Sequence, residues 1–563
     1  MSKYLLLYYL FALCFIATFK SGYTQAGLKE YLRLDPESFY QAASEKLNYN
    51  PVITYGPELQ SDLELHSTGD WSDATVFTVF QSNSPIQEQT VWHLSTSQKD
   101  QLLTNRHLVD LGGSKLFPYK LREPHLPHYN HYYFSGEQQF DNKDSIVFHV
   151  GRYIGGYDNL PVAPLTGFVG ETRIYDRILS RQERRRVSTY YAIKYGLSLA
   201  GQDSMVYVSG SGRRIWDGKK NSPFFHRIAG VGRDSITGLN QKQSTSSYAP
   251  DLFTFSLGKL AADNESNKSN IPDGSYMLWG DDNGGLVFGE NSGIGKLTER
   301  RWLFEMSGVS IECPGYLRLN SRRWLDRVTD EDKIWLVIDS SGVGDFLAPN
   351  SLFVAATRQE DSGFIYFDSI PIPSTTRQVW TFSKGAELLP LYWIEESLCD
   401  SGTGALQVGA VGGVPPYNYE LSNMKGERIA KWESNRGYAS IDNLKESKYL
   451  LRITDEDGRV VVQWIDGCQP NNQAKKRERN KAVADYFLAP NPTFDGHFTL
   501  ELRLWEKGGI DFSITSSDGK LYRRDRFSDD SYYQIRGMLP VSGIYHLNVR
   551  TQQGRVSIPI VRQ

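Results

Sequence analysis

Phe168-Val169-Gly170-Glu171-Thr172-Arg173-Ile174-Tyr175-Asp176-Arg177 is followed, after Ile178, by Leu179-Ser180-Arg181-Gln182-Glu183-Arg184, and this junction decides the fold. The first piece reads as a strand. Val169, Glu171, Arg173 and Tyr175 alternate to one side, and Phe168, Gly170, Thr172 and Ile174 to the other. Glu171 and Arg173 then share a face, which is expected to be a solvent-exposed strand face carrying a charged pair. The second piece starts a helix. Ser180 is placed as N-cap, and Glu183, three residues on, completes a capping box. Val187, Tyr191 and Tyr195 recur at spacing four and form an apolar stripe, and Gly196 is placed at C′.

Strand signals dominate on both sides of this junction. Upstream stand residues 74–80 and 145–151; downstream stand 333–338 and 378–382. All mix β-branched and aromatic residues. Aromatics make up 13% of the chain, with 33 Tyr and 12 Trp beside 50 Gly, which points to β-rich domains whose aromatic side chains mostly fill cores. After removal of a leader, a chain of about 540 residues suggests three to five domains. The expected fold class is all-β and multidomain. The formal net charge of −3 leaves no electrostatic footprint for a phosphate backbone, which disfavours nucleic acid as a partner.

At the N-terminus, Lys3 precedes an apolar run from Leu5 to Phe19, with small residues at Thr24-Gln25-Ala26 or at Gly22-x-Thr24 for cleavage. Residues 1–26 read as a signal peptide. Cys14 follows Leu13, which argues against a lipoprotein anchor. No later segment is long and apolar enough to cross a membrane.

Four segments resemble known modules. The pattern of strand, Tyr175-Asp176-Arg177, capped helix and Tyr195-Gly196 resembles the closing segment of a laminin-G or concanavalin A-like jelly roll, here 27–199, as carried by Bacteroidota surface proteins. Arg214-Ile215-Trp216-Asp217, Ile228 to Asp234 and Leu278-Trp279-Gly280-Asp281-Asp282-Asn283-Gly284 resemble an uncharacterised β-rich domain that follows it, 200–390. Gly412-Gly413-Val414-Pro415-Pro416-Tyr417 and Tyr449 to Gly458 resemble the immunoglobulin-like repeat of gliding-motility adhesins, 391–468. A polar linker, 469–484, precedes 485–563. There the order Leu488-Ala489-Pro490-Asn491-Pro492, strand, Ser517-Asp518-Gly519-Lys520 turn and terminal hairpin resembles the C-terminal sorting domain of the type IX secretion system. Its last strand differs from the family pattern in ending Val561-Arg562-Gln563 and in holding Pro559, which is expected to interrupt it.

Three cysteines remain after the leader. Cys399 and Cys468 bracket one candidate domain and are the candidate disulfide; Cys313 is then expected to be a buried single thiol. His125, His128 and His131 stand at spacing three. On a helix they would suit zinc or copper, but Pro124 and Pro127 favour a polar loop. Asp281 and Asp282, beside Asn283-Gly284, gather oxygen donors of the kind Ca2+ prefers; a tight hairpin explains the same residues. There is no His-Glu-x-x-His, Gly-x-Ser-x-Gly or P-loop pattern, and no catalytic or cofactor-binding residue is assigned.

The resemblances imply a non-enzymatic secreted or outer-membrane surface protein, exported by the type IX machinery through 485–563. Its jelly roll would bind a glycan or another surface protein, and the immunoglobulin-like repeat would act as spacer. A polysaccharide-acting enzyme, with carboxylates united only by the fold, and a purely structural surface or motility component are the alternatives.

Overall fold

The computed structural model describes most of the chain between Leu32 and Arg562; residues 1–31, 35–44, 56–62, 111–114, 119–126, 136–144, 152–162, 200–205, 397–403, 467–482 and shorter loop stretches lie outside it. The leader, most of the linker, His125, Cys399 and Cys468 therefore lie outside the described residues. The chain gathers into two compact units. One runs to Glu387, apart from 291–295 and 347–349; these two pieces and Leu388–Gln563 form the other. The described residues are overwhelmingly β, with antiparallel ladders and one α-helix, Arg181–Tyr195. No helix among them is long and apolar enough to cross a membrane.

In the first unit, two six-stranded sheets open the fold. One places Asp73–Ser82 and Gly167–Tyr175 at its centre; the other is built around Ser145–Val150, Thr90–Ser95 and Asp100–Thr104. Val76, Phe80, Val169 and Ile174 from the first sheet meet Trp92, Leu94, Leu103 and Phe148 from the second, making the core of a sandwich. The helix covers the outer face of the first sheet. Phe77 stacks on Tyr191 at 6.3 Å and meets Tyr175 edge-on at 5.7 Å. Asp73–Ser82 is thus buried on both faces, which explains why its sequence runs apolar almost without alternation.

The helix ends are as the sequence indicates. The Ser180 side chain accepts from the Glu183 N–H, the Glu183 carboxylate accepts from the Ser180 N–H, and Gly196 takes φ 63°. Arg177 also grips Glu183 with two hydrogen bonds, at 2.7 and 3.0 Å. These bonds outweigh burial and bring the Glu183 carboxyl down from its ordinary 4.5 to about 2.

The strand before the helix departs from strict alternation. Its register on Asp73–Ser82 slips between Val169 and Thr172. Val169 and Ile174 therefore both reach the sandwich core, although a period of two would oppose them. Glu171 and Arg173 turn toward the helix and are 0% and 3% exposed, so the expected exposed charged face is overturned.

The second sandwich of this unit pairs a nine-stranded sheet, centred on Ser275–Asp281, Trp302–Ser307 and Arg377–Gly385, with a five-stranded sheet centred on Phe253–Leu257, Gly315–Asn320 and Phe364–Ile370. The chain changes sheets within a few residues: Leu239–Gln241 belongs to the first and Gln243–Thr245 to the second. Phe253, Phe255, Trp279, Trp302, Phe304, Trp380 and Phe382 fill the interior, with Phe304 stacked on Trp380 at 4.0 Å. Cys313 packs beside this core half-buried, so it is less enclosed than expected; burial pushes its thiol pKa up.

In the other unit, a three-stranded sheet (Leu389–Glu396, Gly404–Val411, Tyr438–Leu444) faces a four-stranded one (Arg428–Ser434, Tyr417–Asn423, Lys448–Thr454, Val460–Asp466). Seven strands in two antiparallel sheets make an immunoglobulin-like sandwich. Tyr419, Leu421, Tyr449, Leu451, Leu406 and Val408 form its core. The C-terminal segment has its own core, including Leu500, Phe512, Ile514, Leu547 and Ile558. Its long strand His497–Ser516 breaks register near Gly508 and carries neighbours on both edges. Pro559 does not interrupt the last strand. Gly554–Arg562 is continuous and stands at the end of the sheet path, where a missing ladder donor is tolerated.

Candidate functional site

The most heavily charged buried place is the one between Gly167–Tyr175 and the helix. The Glu171 carboxylate accepts from Arg173 Nε at 2.6 Å, from Lys194 Nζ at 2.9 Å and from the Tyr190 hydroxyl at 2.7 Å. The Glu171 N–H donates to the Tyr195 hydroxyl at 2.8 Å, and the Arg173 guanidinium lies 3.9 Å from the centre of the Tyr190 ring. Gly170 lets the helix come this close, because a Cβ there would meet both the Tyr195 ring and Val79 at 3.2 Å. Burial keeps the phenols of Tyr191 and Tyr195 well above their ordinary pKa. The carboxylate is thus enclosed and saturated with donors. It clamps helix to sheet and offers no oxygen to a substrate.

The far end of the same helix is held by a second polar group. Its last carbonyls have no partner within the helix. Asn48 Nδ2 donates to the Ile193 carbonyl at 3.2 Å and to the Lys194 carbonyl at 3.0 Å, and Asn50 Nδ2 donates to the Lys194 carbonyl at 2.6 Å. The Ser247 hydroxyl donates to the Tyr195 carbonyl. The other side of Asn48 accepts from the Thr245 N–H at 2.7 Å, and Asn50 donates to Gln241 Oε1 at 3.0 Å. The helix end therefore belongs to both sandwiches of its unit, and the seam between them is polar and buried.

Asp281 and Asp282 lie where Ser275–Asp281 leaves its sheet. Asp281 accepts from Arg227 Nε at 2.7 Å and from its Nη2, with Arg300 at 4.0 Å. Burial alone would raise its pKa, but the two guanidinium groups overcome this and hold the carboxyl below its usual range. Asp282 accepts from the N–H groups of Gly284 at 3.0 Å and Arg301 at 3.1 Å. Asn283 has φ 55°, so the stretch does turn tightly. It is not the expected hairpin, since Ser275–Asp281 pairs with His226–Asp234 and Trp302–Ser307 and not with the strand that follows it. The oxygens considered for calcium are occupied by arginine and by backbone donors.

His128 and His131 fall on the strand His128–Ser135, not in a loop, because the segment after Pro127 finds an edge on Asp73–Ser82. Positions three apart on a strand alternate in the pleat. His128 stands opposite Phe80, with ring centres 5.9 Å apart. The fold instead brings His93 and His149 face to face, 5.7 Å apart on neighbouring strands, a pairing that nothing in the sequence spacing indicates. Among the described residues, no group of three or more His, Cys, Asp or Glu stands close enough to hold a metal ion.

Exposed apolar residues mark a different kind of surface. On Val460–Asp466, Val460, Val462 and Trp464 are 47%, 51% and 56% exposed, and alternation puts all three on the outer face of the immunoglobulin-like sandwich.

A family described as a domain of unknown function (DUF8202) matches residues 183–369, beginning within the helix and ending in Phe364–Ile370. No protein in the curated set matches. Solved structures with similarity include the tetra-tandem repeat in the extending region of a large adhesion protein: 13% identity, 57% of this chain and 94% of that one, TM-score 0.12. The BSP domain of a biofilm-associated protein gives 10% identity, 94% and 99% coverage and a TM-score of 0.12. A two-domain fibronectin type III segment of chicken tenascin gives 10%, 30% and 97%, and 0.13. None of these descriptions names an enzymatic activity. At such scores the likeness does not extend to a superposable whole, and the all-β reading rests on the sheets themselves.

Proposed function

We propose that this chain is a non-enzymatic, surface-displayed binding protein with adhesive character. In this reading 1–26 is a signal peptide, 27–199 a laminin-G-like recognition module for a glycan or surface protein, and 391–468 an immunoglobulin-like spacer. Residues 200–390 are a β-rich domain, 469–484 a linker, and 485–563 a sorting label for type IX export in a Bacteroidota-type cell. The observation that carries the adhesive character is the row of Val460, Val462 and Trp464, an apolar stripe left open on the outer face of the immunoglobulin-like module, which gives that spacer a contact surface of its own beside the recognition role of 27–199. The ionic groups the fold gathers most tightly, at Glu171 and Asp281, are saturated internally, which favours a binding surface over a carboxylate-driven cleft.

Cell fractionation tests the export part of this reading. Full-length protein is expected in the surface and secreted fractions, while a chain ending at Lys481 is expected to accumulate in the periplasm. Equal surface levels of the two would remove the sorting role of 485–563.

A further inference from the structure

The C-terminal module carries a surface that an address label does not need. His497–Ser516 pairs along one edge with Leu521–Met538. Along the other edge its second half pairs with Gly543–Thr551, which in turn pairs with Gly554–Arg562. Phe512, Ile514, Leu547, Val549, Val556 and Ile558 point into the core, so the alternate positions point out. The register sets those outward residues in rows. Arg526, Asp511, Arg550 and Arg555 stand abreast on the four strands; Arg524, Ser513, Asn548 and Ser557 form the next row. Neighbours within a row are about 4.8 Å apart and the rows about 7 Å apart, as in any pleated sheet.

Arg524, Arg526, Arg550 and Arg555 are all exposed. Arg526 donates to Asp511 at 2.6 and 3.4 Å. These hydrogen bonds, helped by the fields of Arg526, Arg524 and Arg550, hold the Asp511 carboxyl below its ordinary range. Four guanidinium groups against one carboxylate leave a local excess of three positive charges, on a chain whose formal net charge is −3. Guanidinium forks recognise carboxylate and sulfate groups in pairs of hydrogen bonds. Between them, Ser513, Asn548 and Ser557 present neutral donors and acceptors suited to hydroxyl groups.

We propose that the outer face of these four strands binds a linear acidic polysaccharide, carboxylated or sulfated, with Arg524, Arg550 and Arg555 as its anion contacts. A docking protein would call for an apolar centre in the patch, and a lipid surface for inserted apolar side chains; the two polar rows supply neither, and the exposed apolar residues of the same face, Leu521 and Ile544, stand beyond them toward the other end of the strands. A chain of repeated anions separated by hydroxyls matches both the charge and the neutral polar side chains that stand between the guanidinium groups. This site is separate from the apolar stripe and does not depend on the route of export.

The test uses purified full-length protein titrated calorimetrically at about 0.15 M salt. The probes are an alginate oligosaccharide, a heparin-derived oligosaccharide and neutral dextran. Binding of at least one acidic probe and none of dextran is expected. The double change Arg550→Ser and Arg555→Ser should weaken binding by about tenfold or more, and Asp511→Asn should tighten it by about threefold, since removing one like charge of the ligand relieves repulsion. Arg358→Ser, at an exposed arginine in the other unit, should leave binding unchanged. Arg550, Arg555 and Arg358 are exposed, so thermal melting of the arginine variants should stay that of the parent. The proposal is overturned if neither acidic probe binds or if the double variant binds like the parent. It is also overturned if Arg358→Ser weakens binding equally, or if polyglutamate or phosphatidylglycerol vesicles bind more tightly than the acidic sugars.

Discussion

Glu171→Ala should destabilise the first unit by about 3–5 kcal/mol, the range for removing one partner of a buried ion pair. The substitution leaves Arg173 and Lys194 facing each other in the interior, and strips the Tyr190 hydroxyl of its acceptor. The loss falls on the contact between helix and sheet, and the buried seam ties that helix end to the second sandwich through Asn48, Asn50 and Ser247. Urea denaturation followed by circular dichroism, with the first unit's transition resolved from the others, would read the change. An exposed charged pair would instead give a shift within about 0.5 kcal/mol. A variant in that lower range would show that the clamp does not hold the helix.

Trp380→Ala is expected to cost a similar amount, about 3–5 kcal/mol, for a different reason. Trp380 is fully buried, stacks on Phe304 at 4.0 Å and meets Phe255 edge-on at 5.7 Å. Its indole N–H donates to Gln378 at 2.9 Å, so truncation opens a cavity and also removes a donor from a buried amide. Tryptophan fluorescence during unfolding should show the midpoint of the second sandwich moving to lower denaturant. Trp380→Phe, which keeps a ring in the stack, should recover much of the loss. A parent-like midpoint for Trp380→Ala would mean that the aromatic cluster does not organise this core.

Local features were legible because they are set by neighbours in sequence. Ser180, Glu183 and Gly196 announce a helix at both ends, and the capping box and left-handed cap stand as read. The β-branched and aromatic runs likewise became strands, including Lys333–Asp339 and Arg377–Gly385. What stayed hidden depends on pairing over distance. The slip after Val169 changes which residues face the core, and no local pattern marks it. Two partners of Glu171, Tyr190 and Lys194, lie 19 and 23 residues away on another element, and Asn48 meets the helix end from 145 residues away. His128 and His131 read as loop residues in the sequence because Pro124 and Pro127 mask a strand that an existing edge templates. The arginine rows are invisible in the sequence for the same reason: Asp511, Arg526, Arg550 and Arg555 meet only through the register of four strands.

Protease treatment of intact cells of the source organism, followed by mass spectrometry of the released peptides, addresses the central claim of surface display. Peptides from residues 45–466 should be released before lysis. Release of those peptides only after the cells are broken would contradict the account.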